Sequence, residues 1–361
     1  MADQRIEQYA RLLVDTCVDV QPGWEVMVIS TPIARPLLEE LARQIGRKGA
    51  YVYQRLDFTG ATGGGVGAWL QTAPDELLEE LPPIDRHMIE NVDCLIAVQA
   101  PENTRETSGI PHDRLAKLNK AYRPAMERVV SGNLAWVGCQ FPCPALAQEA
   151  GMSLREFEDF LYGACLIDWD VERERMQAVK ERLDAADEIR IAGAGTEITL
   201  SLAGREGKVD AGGANIPGGE VFYSPVEDSA NGEVFFAEFP AVYDGRELRE
   251  IRLRFEDGVV VGASSATEEA YLHEVLDTDE GARRLGEIGF GCNPGITRYM
   301  RNTLFDEKIN GTVHLALGNG FEFIGGTNES NVHWDIVKDL REGGRIYADG
   351  ELVLENGDWQ I

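Results

Sequence analysis

The alternation of apolar runs with amphipathic stretches in the first half of the chain constrains the fold most. Helical spacing of apolar residues, as at 34–49, separates short runs rich in strand-forming residues. These runs are "WEVMVIS" (24–30), "AYVYQRL" (50–56), "DCLIAVQA" (93–100) and "NLAWVGCQFP" (133–142). Strands that alternate with helices are typical of crossover connections. The first half therefore predicts a mostly parallel sheet with helices on both faces.

Nucleotide-binding motifs are missing from this α/β half. No Gly-x-Gly-x-x-Gly follows the first apolar run, so the dinucleotide fingerprint is absent. The glycine-rich stretch "FTGATGGGVGAWL" (58–70) lacks the Gly-Lys-Ser/Thr ending of a phosphate-binding loop. We interpret it as a loop, which could touch substrate or a partner subunit.

The character of the sequence changes near residue 188. The second half is rich in glycine and in short strand patterns. Polar and apolar residues alternate through "RELREIRLRFEDGVVVGASS" (246–265), which predicts a hairpin that turns at the "EDG". We predict an N-terminal, mostly parallel α/β domain over 1–187 and a C-terminal α+β domain over 188–361.

Charge limits the partners of the protein. The 361 residues include 62 acidic and 34 basic ones, a net charge of −28. Such a balance argues against nucleic acid or an anionic membrane as partner. No run approaches the ~20 apolar residues of a membrane helix, and the stretch "MADQRIEQYARLL" has no apolar core, so we do not expect it to be a signal peptide. The six cysteines form no Cys-x-x-Cys pair, so we expect free thiols in a cytoplasmic protein.

Residues with metal-ligand chemistry concentrate in four stretches of the second half. His333 and Asp335 lie two residues apart, a spacing that places both side chains on one face of a strand. Each candidate taken alone also fits an ordinary structural role, such as a turn, a helix surface or a core histidine. The candidates are Glu220, Glu287, Glu307, His314, His333 and Asp335.

The chemistry of this set is coherent. Imidazoles together with carboxylates suit zinc, cobalt, manganese or ferrous iron. Because carboxylates outnumber histidines, one carboxylate could bridge two ions, and such a pair can activate water. The set contains no cysteine, which favours an open catalytic site over a closed structural one. The sequence therefore predicts a metal site in the C-terminal domain.

The same four stretches resemble motifs of the thermophilic aminopeptidase family, the aminopeptidase T and aminopeptidase S group of metallopeptidases. The resembling segments are "NIPGGEVFYSP", "LGEIGFGCNPGI", "DEKINGTVHLALG" and "NESNVHWDIV". This resemblance implies that all six candidates are ligands of a dinuclear centre, with Glu220 and Glu287 also taking part in catalysis. It also implies a homodimer.

The sequence departs from the family pattern at two places. Phe321 stands where the family carries a catalytic tyrosine, and Phe has no hydroxyl to donate to an oxyanion. The spacing from Glu307 to His314 is about two residues longer than the resemblance implies, and the segment between His314 and His333 is short. These departures keep a second function open.

Our first hypothesis is a metalloaminopeptidase that removes N-terminal residues from peptides through water activated by two zinc, cobalt or manganese ions. The alternative is a ring-cleaving dioxygenase of the 2,5-dihydroxypyridine type, a group that shares this fold. It would hold one ferrous iron with His314, His333 and Asp335. A non-catalytic metal-binding relative is the third possibility.

Overall fold

Two compact units make up the chain in the computed structural model. The first contains Met1–Ile167 and Gly212–Pro217, and the second contains Asp168–Ala211 and Gly218–Ile361. The structure describes residues 3–58, 67–106, 109–130 and 134–360. Most of the glycine-rich loop predicted at 58–70 lies outside these described residues.

The predicted domain boundary at 187/188 falls just after the helix Trp169–Asp184, which belongs to the second unit. In that unit, the Tyr223 hydroxyl donates a hydrogen bond to Asp184 Oδ1 at 2.8 Å, and the Lys180 carbonyl oxygen lies 3.2 Å from the same hydroxyl. A helix can pack in either of two units that flank it in sequence, so the order of elements alone cannot assign it.

Most of the described helices lie in the first unit, and the last three α-helices lie in the second. The α-helices are α1 Gln4–Arg11, α2 Arg35–Arg47, α3 Gly67–Thr72, α4 Asp75–Leu78, α5 Pro83–Asn91, α6 His112–Val130, α7 Pro144–Glu149, α8 Leu154–Cys165, α9 Trp169–Asp184, α10 Glu269–Leu276 and α11 Thr303–Asp306. A π-helix spans Leu12–Cys17, and short 3-10 turns span Pro32–Ala34, Gly281–Arg283 and Glu322–Ile324. α4 ends at Leu78 and α5 begins at Pro83, and Pro82 and Pro83 prevent a continuous helix through this stretch, because proline interrupts helical hydrogen bonding.

Most of the described strands lie in the second unit, and five lie in the first. The strands are β1 Glu25–Ser30, β2 Tyr51–Leu56, β3 Cys94–Gln99, β4 Ala135–Gln140, β5 Glu188–Gly193, β6 Thr196–Ser201, β7 Lys208–Asp210, β8 Asn215–Ile216, β9 Glu220–Tyr223, β10 Asn231–Phe236, β11 Ala241–Tyr243, β12 Arg246–Leu248, β13 Ile251–Glu256, β14 Val259–Ser264, β15 Leu285–Gly291, β16 Thr312–Gly318, β17 His333–Asp339, β18 Arg345–Ala348, β19 Glu351–Glu355 and β20 Asp358–Trp359.

The first unit contains a five-stranded sheet in the order β2-β1-β3-β4-β8, and every neighbouring pair is parallel. Residues Val26–Ser30 of β1 are all buried, as expected for a strand covered on both faces. The predicted parallel α/β fold of the N-terminal region is thus confirmed. The sequence did not reveal β8, a two-residue strand that returns from the second half of the chain.

The second unit is built from antiparallel sheets. One has eight strands in the order β14-β13-β10-β6-β5-β18-β19-β20, and another has five in the order β17-β16-β15-β9-β7. The predicted hairpin is formed by β13 and β14. It turns through Asp257 and Gly258, whose φ values of 47° and 77° suit a two-residue turn. The predicted α+β character of the C-terminal region is confirmed.

No helix among the described residues combines the length and the apolar character that crossing a membrane requires. All six cysteines are free thiols, and five of them are buried.

Candidate metal centre

The five-stranded sheet gathers ligand-type side chains on one face. Ala316 of β16 lies opposite Glu287 on one side and Asp335 on the other, so these residues share a face. His314 lies two residues before Ala316 and has Gly289 opposite it. The candidates supplied by β9, β15, β16 and β17 are Glu220, Glu287, His314, His333 and Asp335.

Glu287 lies between the two imidazoles. Its Oε1 atom is 3.3 Å from His314 Nε2, and its Oε2 atom is 3.4 Å from His333 Nε2. One carboxylate therefore presents a different oxygen to each histidine. This is the arrangement that a bridging carboxylate requires.

Two groups of potential ligands share Glu287. One group consists of Glu220, Glu287 and His314, and the other of Glu287, His333 and Asp335, with one ligand atom per residue and all atoms of a group within 4.8 Å of one another. In the first group, Glu220 Oε2 is buried and accepts no hydrogen bond, and His314 Nε2 lies 3.6 Å from it. An unpaired buried oxygen is costly, and a cation in this group would satisfy it. The donor set thus fits a metal.

Backbone carbonyls orient both imidazoles. His314 Nδ1 is 3.1 Å from the Glu307 carbonyl, and His333 Nδ1 is 2.9 Å from the Asn319 carbonyl. Because a carbonyl can only accept, each Nδ1 carries the proton and each Nε2 faces the carboxylates. Metal-binding histidines are usually oriented in this way.

The Glu307 side chain is the predicted ligand that belongs to neither group. It pairs with the Nζ of Lys308, which also lies 3.1 Å from Glu220 Oε1. The side chain of Lys308 is fully buried, with 0% exposure. Sequence reasoning missed Lys308, because a lysine beside a glutamate is ordinarily a surface residue and only the structure shows that it is buried between Glu220 and Glu307.

The ionisation of the carboxylates differs within the centre. Burial raises the pKa of Glu220 to about 8, although Lys308 acts in the opposite direction. Burial also acts to raise the pKa of Glu287, but hydrogen bonds from His314 and His333 outweigh it and bring the value to about 2. Burial raises the pKa of Asp335 to about 6. Glu287 is thus the carboxylate that stays ionised throughout the physiological range.

Both histidines are cationic in the metal-free protein. Burial acts to lower the pKa of His314, but Glu287 and Glu220 raise it to about 10. Burial also acts to lower the pKa of His333, but Asp335 and Glu287 raise it to about 10. The two imidazolium groups partly neutralise a cluster that is otherwise rich in carboxylates.

Phe321 lies beside this centre. Its ring centroid is 5.2 Å from that of His333 and 5.3 Å from that of Phe323. Phe222 completes an aromatic group, with its ring 5.9 Å from Phe321. The position at which the family resemblance implies a tyrosine hydroxyl is therefore apolar and lies close to the candidate ligand His333.

Comparisons with known proteins identify the family of the chain. The family described as thermophilic metalloprotease (M29) matches residues 2–359 of the chain. The chain belongs to the thermophilic metalloprotease family. This match confirms the family predicted from the four motifs and, with it, a metal-dependent hydrolase.

Individual relatives of this metalloprotease span its whole length. Aminopeptidase 2 of Geobacillus stearothermophilus is 29% identical over 415 residues, which cover 99% of this chain and 98% of the relative. The solved structure of wild-type AmpT from Thermus thermophilus has a TM-score of 0.84 at 24% identity and covers 99% of both chains. The 2,5-dihydroxypyridine dioxygenase of Pseudomonas putida has a TM-score of 0.64 at 18% identity, with 99% of this chain and 96% of that chain covered. At these low identities, the two solved structures show that the chain shares their fold.

Metal binding is expected to release protons. At pH 7.5, both histidines of the apo protein carry a proton that a metal must displace, because their pKa values are about 10. We expect about two or more protons to leave per fully loaded centre. Titration calorimetry with Zn²⁺ in buffers of different ionisation enthalpy measures this number. His333→Ala should release about one proton fewer, and a heat that is independent of the buffer would contradict the assignment.

Proposed function

We propose that this metalloprotease is an aminopeptidase that removes N-terminal residues from peptides at a centre for two divalent cations. The observation that carries the proposal is the position of Glu287, whose two oxygens face two different histidines within two overlapping ligand groups. Relatives named aminopeptidases over the full length of the chain support the substrate class.

The chemistry follows from the side chains on this face of the sheet. Bound divalent ions would supply Lewis-acid polarisation of the substrate carbonyl and an activated water. Glu287 remains ionised and holds the two halves of the centre together, since its pKa is about 2. Glu220 would hold an ion through Oε2, which faces His314, because its Oε1 is paired with Lys308. His314, His333 and Asp335 complete the ligand set, and Glu307 acts beside it through Lys308.

The ligand types favour zinc, cobalt or manganese as the cations. Oxygen and imidazole donors in this ratio suit these ions, and the described part of the chain brings no thiolate into either ligand group. Two ions, rather than one, are supported by the shared carboxylate.

A ring-cleaving dioxygenase is the second candidate function. The fold of a 2,5-dihydroxypyridine dioxygenase and the apolar Phe321 beside His333 favour it. However, a two-histidine, one-carboxylate iron site needs His314 and His333 in one ligand group. Among the described residues, each group contains only one of these histidines together with two carboxylates. The geometry therefore supports the aminopeptidase better.

Two assays on one preparation test the choice. The metal is removed with a chelator, and portions are reloaded with Zn²⁺, Co²⁺, Mn²⁺ or, without oxygen, Fe²⁺. We expect Leu-p-nitroanilide to be cleaved after reloading with one of the first three ions. The N-acetylated substrate should remain intact, because an aminopeptidase requires a free amine. Oxygen uptake on 2,5-dihydroxypyridine by the iron form, with no amide cleavage by any form, would overturn the proposal.

We further propose a cytoplasmic homodimer, as the family resemblance implied. Light scattering coupled to size-exclusion chromatography should give twice the mass of the chain. The mass of a single chain at micromolar concentration would contradict the dimer.

A further inference from the structure

Lys308 is a fully buried cation at the edge of the candidate metal centre. Its side chain has 0% exposure, and its Nζ contacts Glu220 Oε1 at 3.1 Å and also Glu307 Oε1. A buried ammonium is costly unless it is paired, so two carboxylates hold it in place. The family resemblance predicted both glutamates to be metal ligands, but here an ammonium already occupies one oxygen of each.

The lysine acts on one half of the centre only. Glu220 belongs to the group with His314, whereas the contacts of His333 and Asp335 are with Glu287 and with each other. Glu220 offers only its second oxygen, Oε2, toward His314. A cation held by Glu220 would share that carboxylate with the Lys308 ammonium, whereas the ion pairs of His333 with Glu287 and Asp335 do not include Lys308.

We propose that Lys308 is a built-in positive charge that makes the two halves of the centre unequal, so that a divalent cation binds the His333–Asp335 half more tightly than the Glu220–His314 half. This inference rests on the metal centre of the proposed function.

Single-metal variants test the inequality without repulsion between two bound ions. His314→Ala leaves the His333–Asp335 half, and His333→Ala leaves the Glu220–His314 half. Titration with Zn²⁺, or with Co²⁺ followed by its visible absorption, gives one dissociation constant for each variant. We expect His314→Ala to bind the cation about tenfold or more tightly than His333→Ala. Equal affinities, or the opposite order, would overturn the inference even if Lys308 variants failed to fold.

Removing the charge tests the cause. Lys308→Gln retains a hydrogen-bond donor for Glu220 but has no charge. Introduced into His333→Ala, it should tighten cation binding by about tenfold or more, and into His314→Ala by clearly less. Lys308→Arg retains the charge, so it should leave the affinity of each single-metal variant close to the value measured with Lys308 in place. Weaker binding by the Glu220 half in Lys308→Gln would show that the lysine only positions Glu220, and would overturn the inference.

Lys338 offers a matched control. It is likewise a buried lysine, with 1% exposure, and its Nζ lies 2.6 Å from Glu238 Oε1 rather than beside a metal ligand. Lys338→Gln should change neither affinity, although it removes a comparable buried ion pair. If the wild-type protein binds no Zn²⁺, Co²⁺ or Mn²⁺ at all, the metal centre itself is wrong. If it binds two ions and the two halves have equal affinities for the cation, only the proposed role of Lys308 is wrong.

Discussion

Glu287→Gln is expected to release both cations and to lower kcat/KM for peptide substrates by about 10³-fold, which equals about 4 kcal/mol of transition-state stabilisation. Glu287 is the only residue common to the two ligand groups found among the described residues. A glutamine retains the shape but has one oxygen in place of two, and its amide nitrogen cannot bind a metal. Both halves of the centre therefore lose a charged ligand through one change.

The measurement is metal content by mass spectrometry after dialysis, together with Leu-p-nitroanilide hydrolysis. Glu274→Gln on α10 is the control, because Glu274 is exposed and belongs to neither ligand group. Circular dichroism should show the same fold for both variants. Retention of two metal equivalents by Glu287→Gln would exclude a bridging role for this carboxylate.

Gly289→Ala is expected to displace His314 and to lower activity by about 10²-fold or more, since misplacing a catalytic group by about 1 Å can have an effect of this size. A Cβ atom on residue 289 would lie 2.1 Å from His314 Cε1 and 2.2 Å from His314 Nε2. Turning the imidazole aside would break the hydrogen bond from its Nδ1 to the Glu307 carbonyl. We also expect stability to fall by about 1–3 kcal/mol, the usual range for overpacking a core.

Gly163→Ala is the matched control for this prediction. Gly163 lies within α8, and an added Cβ would meet nothing within 4 Å. Alanine at this helical position should leave activity unchanged and raise stability by about 0.4–1 kcal/mol. Denaturant unfolding and metal content should be compared for both variants. If Gly289→Ala binds as much metal as the wild-type protein, the sheet accommodates the methyl group without displacing His314. That result would contradict the prediction.

The residue types of the centre could be predicted from the sequence, since each lies in a motif that resembles a known family. The i, i+2 spacing also placed His333 and Asp335 on one strand face, and Trp334 between them is buried, with its ring 5.1 Å from that of Tyr243. Such spacing works because side chains alternate along a strand.

Convergence of the four stretches could not be predicted. It depends on the pairing of β9, β15, β16 and β17, which are far apart in sequence and meet only through the sheet register. A β-bulge at Gly286, directly before Glu287, is likewise a property of the pairing. The role of Lys308 depends on burial, which a local sequence pattern around a single lysine does not indicate. For the same reason, the sequence placed Glu307 among the ligands, whereas its carboxylate contacts Lys308.

The candidate ligands supplied by the strands all lie on one face of the five-stranded sheet, and this restricts where proteins of this family can vary in length. A shift of one residue along β16 or β17 would turn the ligands of that strand to the opposite face of the sheet. Insertions and deletions within the four ligand-bearing strands are therefore incompatible with the centre. The alignment with aminopeptidase 2 runs over 415 positions, at least 54 more than the 361 residues of this chain. We expect those extra positions to fall in the connections, such as 319–332 between β16 and β17, where length can change while every ligand keeps its place.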